Sequence, residues 1–132
     1  MLGNTIEPFV FRLDGPYGHA ITPGTFDSPM LVTSARRFKR VWLMRRKGGA
    51  AGTTRVGVQV NGTNLFEFPV SEPQVTSPMG DNAVATSETF NEWFVNLVPG
   101  DMVDVVLNEV ESSPRADAPE GLCVVIEFEP VS

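Results

Sequence analysis

An all-β fold, an antiparallel β-sandwich of about eight strands in a single domain over residues 1–132, is the architecture this sequence predicts. Three observations lead there. Apolar residues alternate with polar ones in segment after segment, the period of a strand with one buried face. Eleven prolines and twelve glycines punctuate 132 residues, so the elements between them are short. No segment carries the 3.6-residue apolar repeat of a helix. At 42% apolar and 20% charged residues, the chain is too hydrophobic to stay disordered and too interrupted for a helical bundle. A chain of this length buries roughly two-thirds of the surface its unfolded form exposes, enough for its own core.

The elements follow in order. Residues 6–13 place Phe9, Phe11 and Leu13 on one face and Val10 and Arg12 on the other. After an N-terminal segment 1–8 that overlaps this strand, the glycine- and proline-rich stretch 14–29 reads as a long loop with short edge pieces near 19–22 and 30–33. Residues 37–47 form a long strand. It ends at Gly48-Gly49-Ala50-Ala51-Gly52, which lacks large side chains and reads as the mobile tip of a hairpin. In 55–61, Val56, Val58 and Val60 point inward, and Asn61-Gly62 supplies the two positive-φ residues of a tight turn before 64–68. Residues 69–88 are a proline-, serine- and glycine-rich excursion expected to lie on a surface or reach a partner. Strands 90–97 and 102–110, joined by Pro99-Gly100-Asp101, read as a hairpin. Beyond the polar loop 111–120, residues 121–129 set Leu122, Val124, Ile126 and Phe128 against Cys123, Val125, Glu127 and Glu129.

Several strands are apolar on both faces. Val41-Trp42-Leu43-Met44, Trp93-Phe94-Val95, Val105-Val106-Leu107 and Cys123-Val124-Val125-Ile126 each carry consecutive large side chains. One face fills the sandwich, and something must cover the other. The long loops 14–29 and 69–88 are one cover and a second copy of the chain is the other; self-association is the reading adopted.

Charge divides unevenly along the chain. Residues 1–66 hold nine basic and three acidic side chains, residues 67–132 one basic and thirteen acidic, for a net charge of −6. Seven basic residues, Arg36, Arg37, Lys39, Arg40, Arg45, Arg46 and Lys47, crowd into twelve positions. Such density invites a nucleic-acid reading, but the strongly acidic remainder would oppose a polyanion. Pairing with the acidic half, or with an acidic neighbouring subunit, fits better. In a ring of copies those charges would set register while Trp42, Trp93 and Phe94 carry the burial. These ten residues are the candidate interface.

Catalytic and metal chemistry finds little support in the residues. The one cysteine, Cys123, lies among apolar neighbours as a small core residue would, and the one histidine, His19, has no spaced nucleophile beside it, with Asp14 and Asp27 its nearest carboxylates. No GxSxG, HExxH, CxxC or phosphate loop occurs. Asp81, Asp101, Asp104, Glu109 and Glu111 lack the alternating ligand loop of a calcium site. No catalytic residue, metal or cofactor is therefore expected. Neither a secretion signal nor an apolar run long enough to span a membrane is present, so Asn61-Gly62-Thr63 reads as a turn rather than a glycosylation site.

Three runs carry a resemblance: Val56 to Phe66 (VGVQVNGTNLF), Val98 to Val105 (VPGDMVDV) and Gly121 to Ile126 (GLCVVI). Together they resemble the small jelly-roll modules of tailed-phage virions, notably capsid decoration (cement) proteins and the heads of fibres or spikes, over roughly residues 36–128. The resemblance implies an antiparallel jelly roll, commonly a homotrimer, with the phage major capsid protein as partner and no membrane or nucleic acid bound. A lone domain beginning at Met1 is expected to be a separately made decoration protein. It would be synthesised in the host cytoplasm, without secretion, and act on the outside of the capsid, docking through residues 1–8 and the basic strand. The alternative the same resemblance offers is a receptor- or carbohydrate-binding head of a tail or head fibre, with loops 14–29 and 69–88, or Tyr17, at the contact.

Overall fold

A computed structural model describes residues 6–12, 24–25, 30–49, 51–66, 71–91, 96–111 and 121–131. They form strand segments β1 (Glu7–Arg12), β2 (Gly24–Thr25), β3 (Met30–Leu31), β4 (Arg36–Arg45), β5 (Thr53–Val60), β6 (Thr63–Asn64), β7 (Gln74–Thr76), β8 (Ala83–Ser87), β9 (Asn96–Leu97), β10 (Met102–Glu109) and β11 (Cys123–Pro130). All pairings are antiparallel. Sheet A runs β1, β11, β4, β8, with β9 also on β4; sheet B runs β2, β10, β5, β6, with β3 also on β10 and β7 also on β5. Three edges are each shared by two short segments: β2 and β3 along β10, β6 and β7 along β5, β8 and β9 along β4. Counted by position, eight strands therefore lie in orders 1-8-3-6 and 2-7-4-5, the interleaved Greek keys of a jelly roll.

The alternation places the core. Val56, Val58 and Val60 of β5, Val103, Val105 and Leu107 of β10, and Leu122, Val124, Ile126 and Phe128 along β11 all point between the sheets and are buried. From β4 come Phe38, Val41 and Leu43. The shift from the even to the odd positions of β4 is produced by a bulge: Glu127 faces Arg40 and Phe128 faces Phe38, which leaves Lys39 as the extra residue. Phe38 stacks at 5.1 Å from Phe128 and 5.8 Å from Phe90, fastening that end of the sandwich.

Two expected hairpins are corrected. β4 and β5 lie in different sheets, as do β9 and β10, so the connections between them cross the sandwich instead of turning back on one sheet. Sequence neighbours usually pair, but a jelly roll sends each apolar strand across to close the other layer. The β5–β6 hairpin does form at Asn61-Gly62, with φ of 51° and 85°. Residues 69–88, expected as an excursion, instead contain β7, a short 3-10 helix (Ser77–Met79) and β8 among their described positions. Most of loop 14–29, with Asp14, Tyr17, His19 and Asp27, lies outside the described residues, as do Trp93 and Phe94.

One end of the sandwich is closed by a buried ion pair. The side chains of Arg45, at the end of β4, and Glu111, just after β10, are both fully buried, with Arg45 Nε donating to Glu111 Oε1 at 2.5 Å. Arg45 also donates to the carbonyls of Gly80 and, at 2.7 Å, Thr76. Glu111 accepts from the Thr54 hydroxyl (2.9 Å), the Ser77 hydroxyl (2.8 Å) and the Gly49 amide (2.8 Å). Gly48 packs on the Arg45 guanidinium, which would stand 3.1 Å from a Cβ there. Residues 48–49 are thus anchored by the cluster and are not a free tip.

Burial pushes the Glu111 carboxyl up, but the hydrogen bonds from Arg45, Ser77, Gly49 and Thr54 outweigh it and leave its pKa below the usual carboxylate value. A depressed folded-state pKa means the contribution is present above the unfolded-state value and lost as pH falls through the folded one. Arg45→Met is expected to cost about 3–5 kcal/mol in urea unfolding at neutral pH, because it strands the carboxylate. Glu111→Gln is expected to lose stability at neutral pH and to show a flatter acid limb than the parent protein when unfolding is followed downward from pH 6.

Candidate docking face on sheet A

Antiparallel pairing puts opposed residues on one side of a sheet, so the register of sheet A can be read as rows. On the outer side, Val10 faces Val125, which faces Trp42, which faces Thr86. The next row is Arg12, Cys123, Met44 and Val84. Val10 is 53% exposed, Val84 46% and Met44 36%, while Trp42, Val125 and Cys123 are half-buried between them. Large apolar side chains therefore meet solvent on all four strands of the sheet. Isolated exposed apolar residues are ordinary, but a contiguous patch of this kind on a small protein marks a contact surface.

Charged side chains rim one flank of that patch. Arg40 pairs with Glu88 at 2.7 Å and with Glu127 at 3.8 Å, and its guanidinium lies 5.4 Å from the centre of the Trp42 ring. The Trp42 indole N–H donates to Glu127. Farther along, Arg37 pairs with Glu129 at 3.0 Å. Arg36 is not part of this rim: it pairs with Pro130 on the side of the sheet that carries Phe128, lies over the Phe128 ring and stands 3.8 Å from Glu7. The indole is thus held in one orientation from two sides, which suits a fixed contact surface better than an open platform for a stacked ring.

The predicted interface residues separate. Arg37, Arg40 and Trp42 share the outer side of sheet A, Lys39 is the bulge residue, and Arg46 and Lys47 are exposed just past β4. Arg45 is a correction: its side chain is fully buried and tied to Glu111, so it is a closure residue and cannot line a surface. The pairing of the basic cluster with the acidic half occurs within one chain, through Glu88, Glu111, Glu127 and Glu129. That removes the need for an acidic neighbouring subunit. Val10 and Val84 were not singled out by the sequence. Val10 is one apolar residue on the polar-looking side of its strand, and Val84 lies in a stretch whose prolines and serines hid a strand.

On the outer side of sheet B, Leu31 and Met102 face each other and are exposed, while the centre of that side is covered. Glu72, 7% exposed, reaches over Gly57, where a methyl group would collide with its carboxylate and the Asn108 amide. Arg55 donates to that carboxylate, and Asn108 Nδ2 donates to it at 2.8 Å. Desolvation raises the Glu72 pKa, partly offset by Arg55 and Asn108. Its linkage has the sign opposite to that of Glu111: the contribution is present below the unfolded-state pKa and declines as pH rises through the folded one. Among the described residues no group of three or more His, Cys, Asp or Glu side chains is placed to hold a metal ion.

The inward and outward assignments are checked by a pair of substitutions one position apart. Met44→Glu is expected to change unfolding stability by no more than about 0.5 kcal/mol, whereas Leu43→Ala is expected to cost about 2–5 kcal/mol. Comparison of the sequence with models of known protein families and with curated proteins finds no match.

Proposed function

We propose that this chain is a non-enzymatic structural protein of a phage virion, a decoration protein that associates with copies of itself and binds the outside of the major capsid shell. The observation that carries the reading is the apolar outer face of sheet A, where Val10, Met44 and Val84 stand exposed in adjoining rows across the sheet. The resemblance supplies the kind of partner. Its three runs fall on the β5–β6 hairpin, the 98–101 turn entering β10, and β11, so they belong to the frame that presents the face.

The mechanism is mechanical. A protein that binds neighbouring shell subunits only when they are assembled raises the free energy of separating them, and many modest contacts sum over a symmetric shell. The face suits this work because desolvating Val10, Met44, Val84 and the edge of Trp42 supplies the burial. The rim charges add orientation, since exposed ion pairs contribute little affinity.

The test uses purified capsids that lack the protein. Adding it is expected to raise their disruption temperature, and Met44→Glu is expected to abolish the gain while leaving the melting temperature of the protein itself in place. Failure of the parent protein to bind shells, together with binding on a glycan array that Trp42→Ala removes, would overturn the reading in favour of a receptor-binding head.

A further inference from the structure

The two edges of sheet A are built differently. β1, at one edge, reads EPFVFR and carries Pro8, Glu7 and Arg12, the residues that discourage pairing with another strand. β8, at the other, reads AVATS, with no charge and no proline. Among the described residues β8 pairs with β4 alone. Residues 85–89 line one side of a groove of about 780 Å³, and residues 71–74 line the other. Residues 85–87 belong to β8 and point to alternate faces, so the groove, which begins at Arg40 and Trp42 on the outer face, continues along the edge of that strand. That is where a strand presents the backbone N–H and C=O groups turned away from its neighbour.

We propose that β8 is an interface with a second copy of this chain, the two β8 strands pairing antiparallel about a twofold axis at Ala85. The register follows from the strand's length. Centring on Ala85 is the alignment in which all five residues of Ala83–Ser87 find partners: Ala83 faces Ser87 of the second copy, Val84 faces Thr86, and Ala85 faces itself. On the inner side only alanine and serine meet, so no bulky side chain obstructs the approach. Just outside the strand, Glu88 comes opposite Asn82 of the second copy, which avoids a like-charge clash.

The apolar pattern continues across this junction. The row Val10, Val125, Trp42, Thr86 runs on into Val84, Met44 and Cys123 of the second copy, and the row ending at Val84 runs on into Thr86 and Trp42. Two four-strand sheets become one of eight strands whose outer rows join where Thr86 of each copy meets Val84 of the other. An edge that pairs with itself is used up by one partner, so the assembly closes at two copies. The three copies implied by the resemblance would need a different contact. This inference stands on β8 alone and does not require shell binding.

Light scattering of the full chain across a dilution series, with no capsid present, is the test. The expected mass is two chains, falling to one when Val84→Lys and Thr86→Lys are introduced together. Both side chains point to solvent in a single copy, so the folded monomer persists. Met44→Glu, on the same face but one strand in from the edge, is expected to keep two chains. Hydrogen exchange at the β8 amides turned away from β4 is expected to be slow in the parent protein and fast in the double variant. A mass of one or three chains for the parent protein would overturn the proposal. So would a two-chain mass that Met44→Glu abolishes, or one that the double variant leaves intact, since either places the contact elsewhere.

Discussion

The ion pair between Arg45 and Glu111 is the constraint on which the rest of the architecture rests. Removing two charges from water costs several kcal/mol for each ion, and the pair is tolerable only because nearly every donor and acceptor on it is engaged. The pair and its partners come from the end of β4 with the adjoining 48–49 segment, the start of β5, residues 76–80 around the 3-10 helix, and Glu111, two residues past β10. Four separate stretches of chain therefore meet at one point with fixed geometry. Among them is the segment that leaves sheet B at Thr76 and must enter sheet A at Ala83. Its carbonyls at Thr76 and Gly80 are held by Arg45, and the Asn82 amide is bonded to the Arg46 carbonyl at 2.9 Å. The placement of β8 beside β4, and with it the outer rows of sheet A, follows from a contact inside the sandwich.

The same cluster shows why charge density along a sequence is a poor guide to charge on a surface. Arg36 to Lys47 forms a basic run in one dimension, but the strand period sends alternate residues to opposite sides. A bulge at Lys39 then changes which ones. Arg45 goes inward to Glu111, while Arg37 and Arg40 go outward to Glu129, Glu127 and Glu88. The acidic C-terminal half is the counterpart of the basic run because β11 lies directly against β4. What remains of the net −6 acts as a general field, while the local field at β4 is close to balanced.

Strand identity was legible wherever a strand was long and one-sided. β4, β5, β10 and β11 all follow from alternation of Val, Leu, Ile and Phe, and the Asn61-Gly62 turn follows from the backbone angles it needs. Pairing was not legible, because alternation says that a face is buried without saying which layer buries it. Two short segments were also hidden: β7 and β8 are too short and too rich in threonine, serine and alanine to stand out from the prolines around them. The doubly apolar strands were read as needing a cover on their second face, and Met44, Trp42 and Val125, which lie in those runs, stand on the outer side of sheet A. Glu111 gave no signal. A lone glutamate before a polar loop looks solvated, and only the fold brings it to an arginine 66 positions away.

The two sheets answer one question in two ways, and their difference argues for the direction in which this protein makes contact. Both strand layers carry more apolar surface than a solvated face should. Over the centre of sheet B the chain supplies its own cover, as residue 72 lays a carboxylate across Gly57 and binds it to Arg55 and Asn108, while Leu31 and Met102 stay exposed toward the β3 edge. That cover needs a glycine beneath it, since any side chain at position 57 would displace the carboxylate. Over sheet A the equivalent central positions hold the large side chains of Trp42 and Val125, both half-buried. A face built from such residues gains free energy by burial only against a surface that brings its own apolar groups. The outer side of sheet A offers an external partner the adjoining apolar groups of Val10, Met44 and Val84, and β8 is where that side can be extended without breaking its rows.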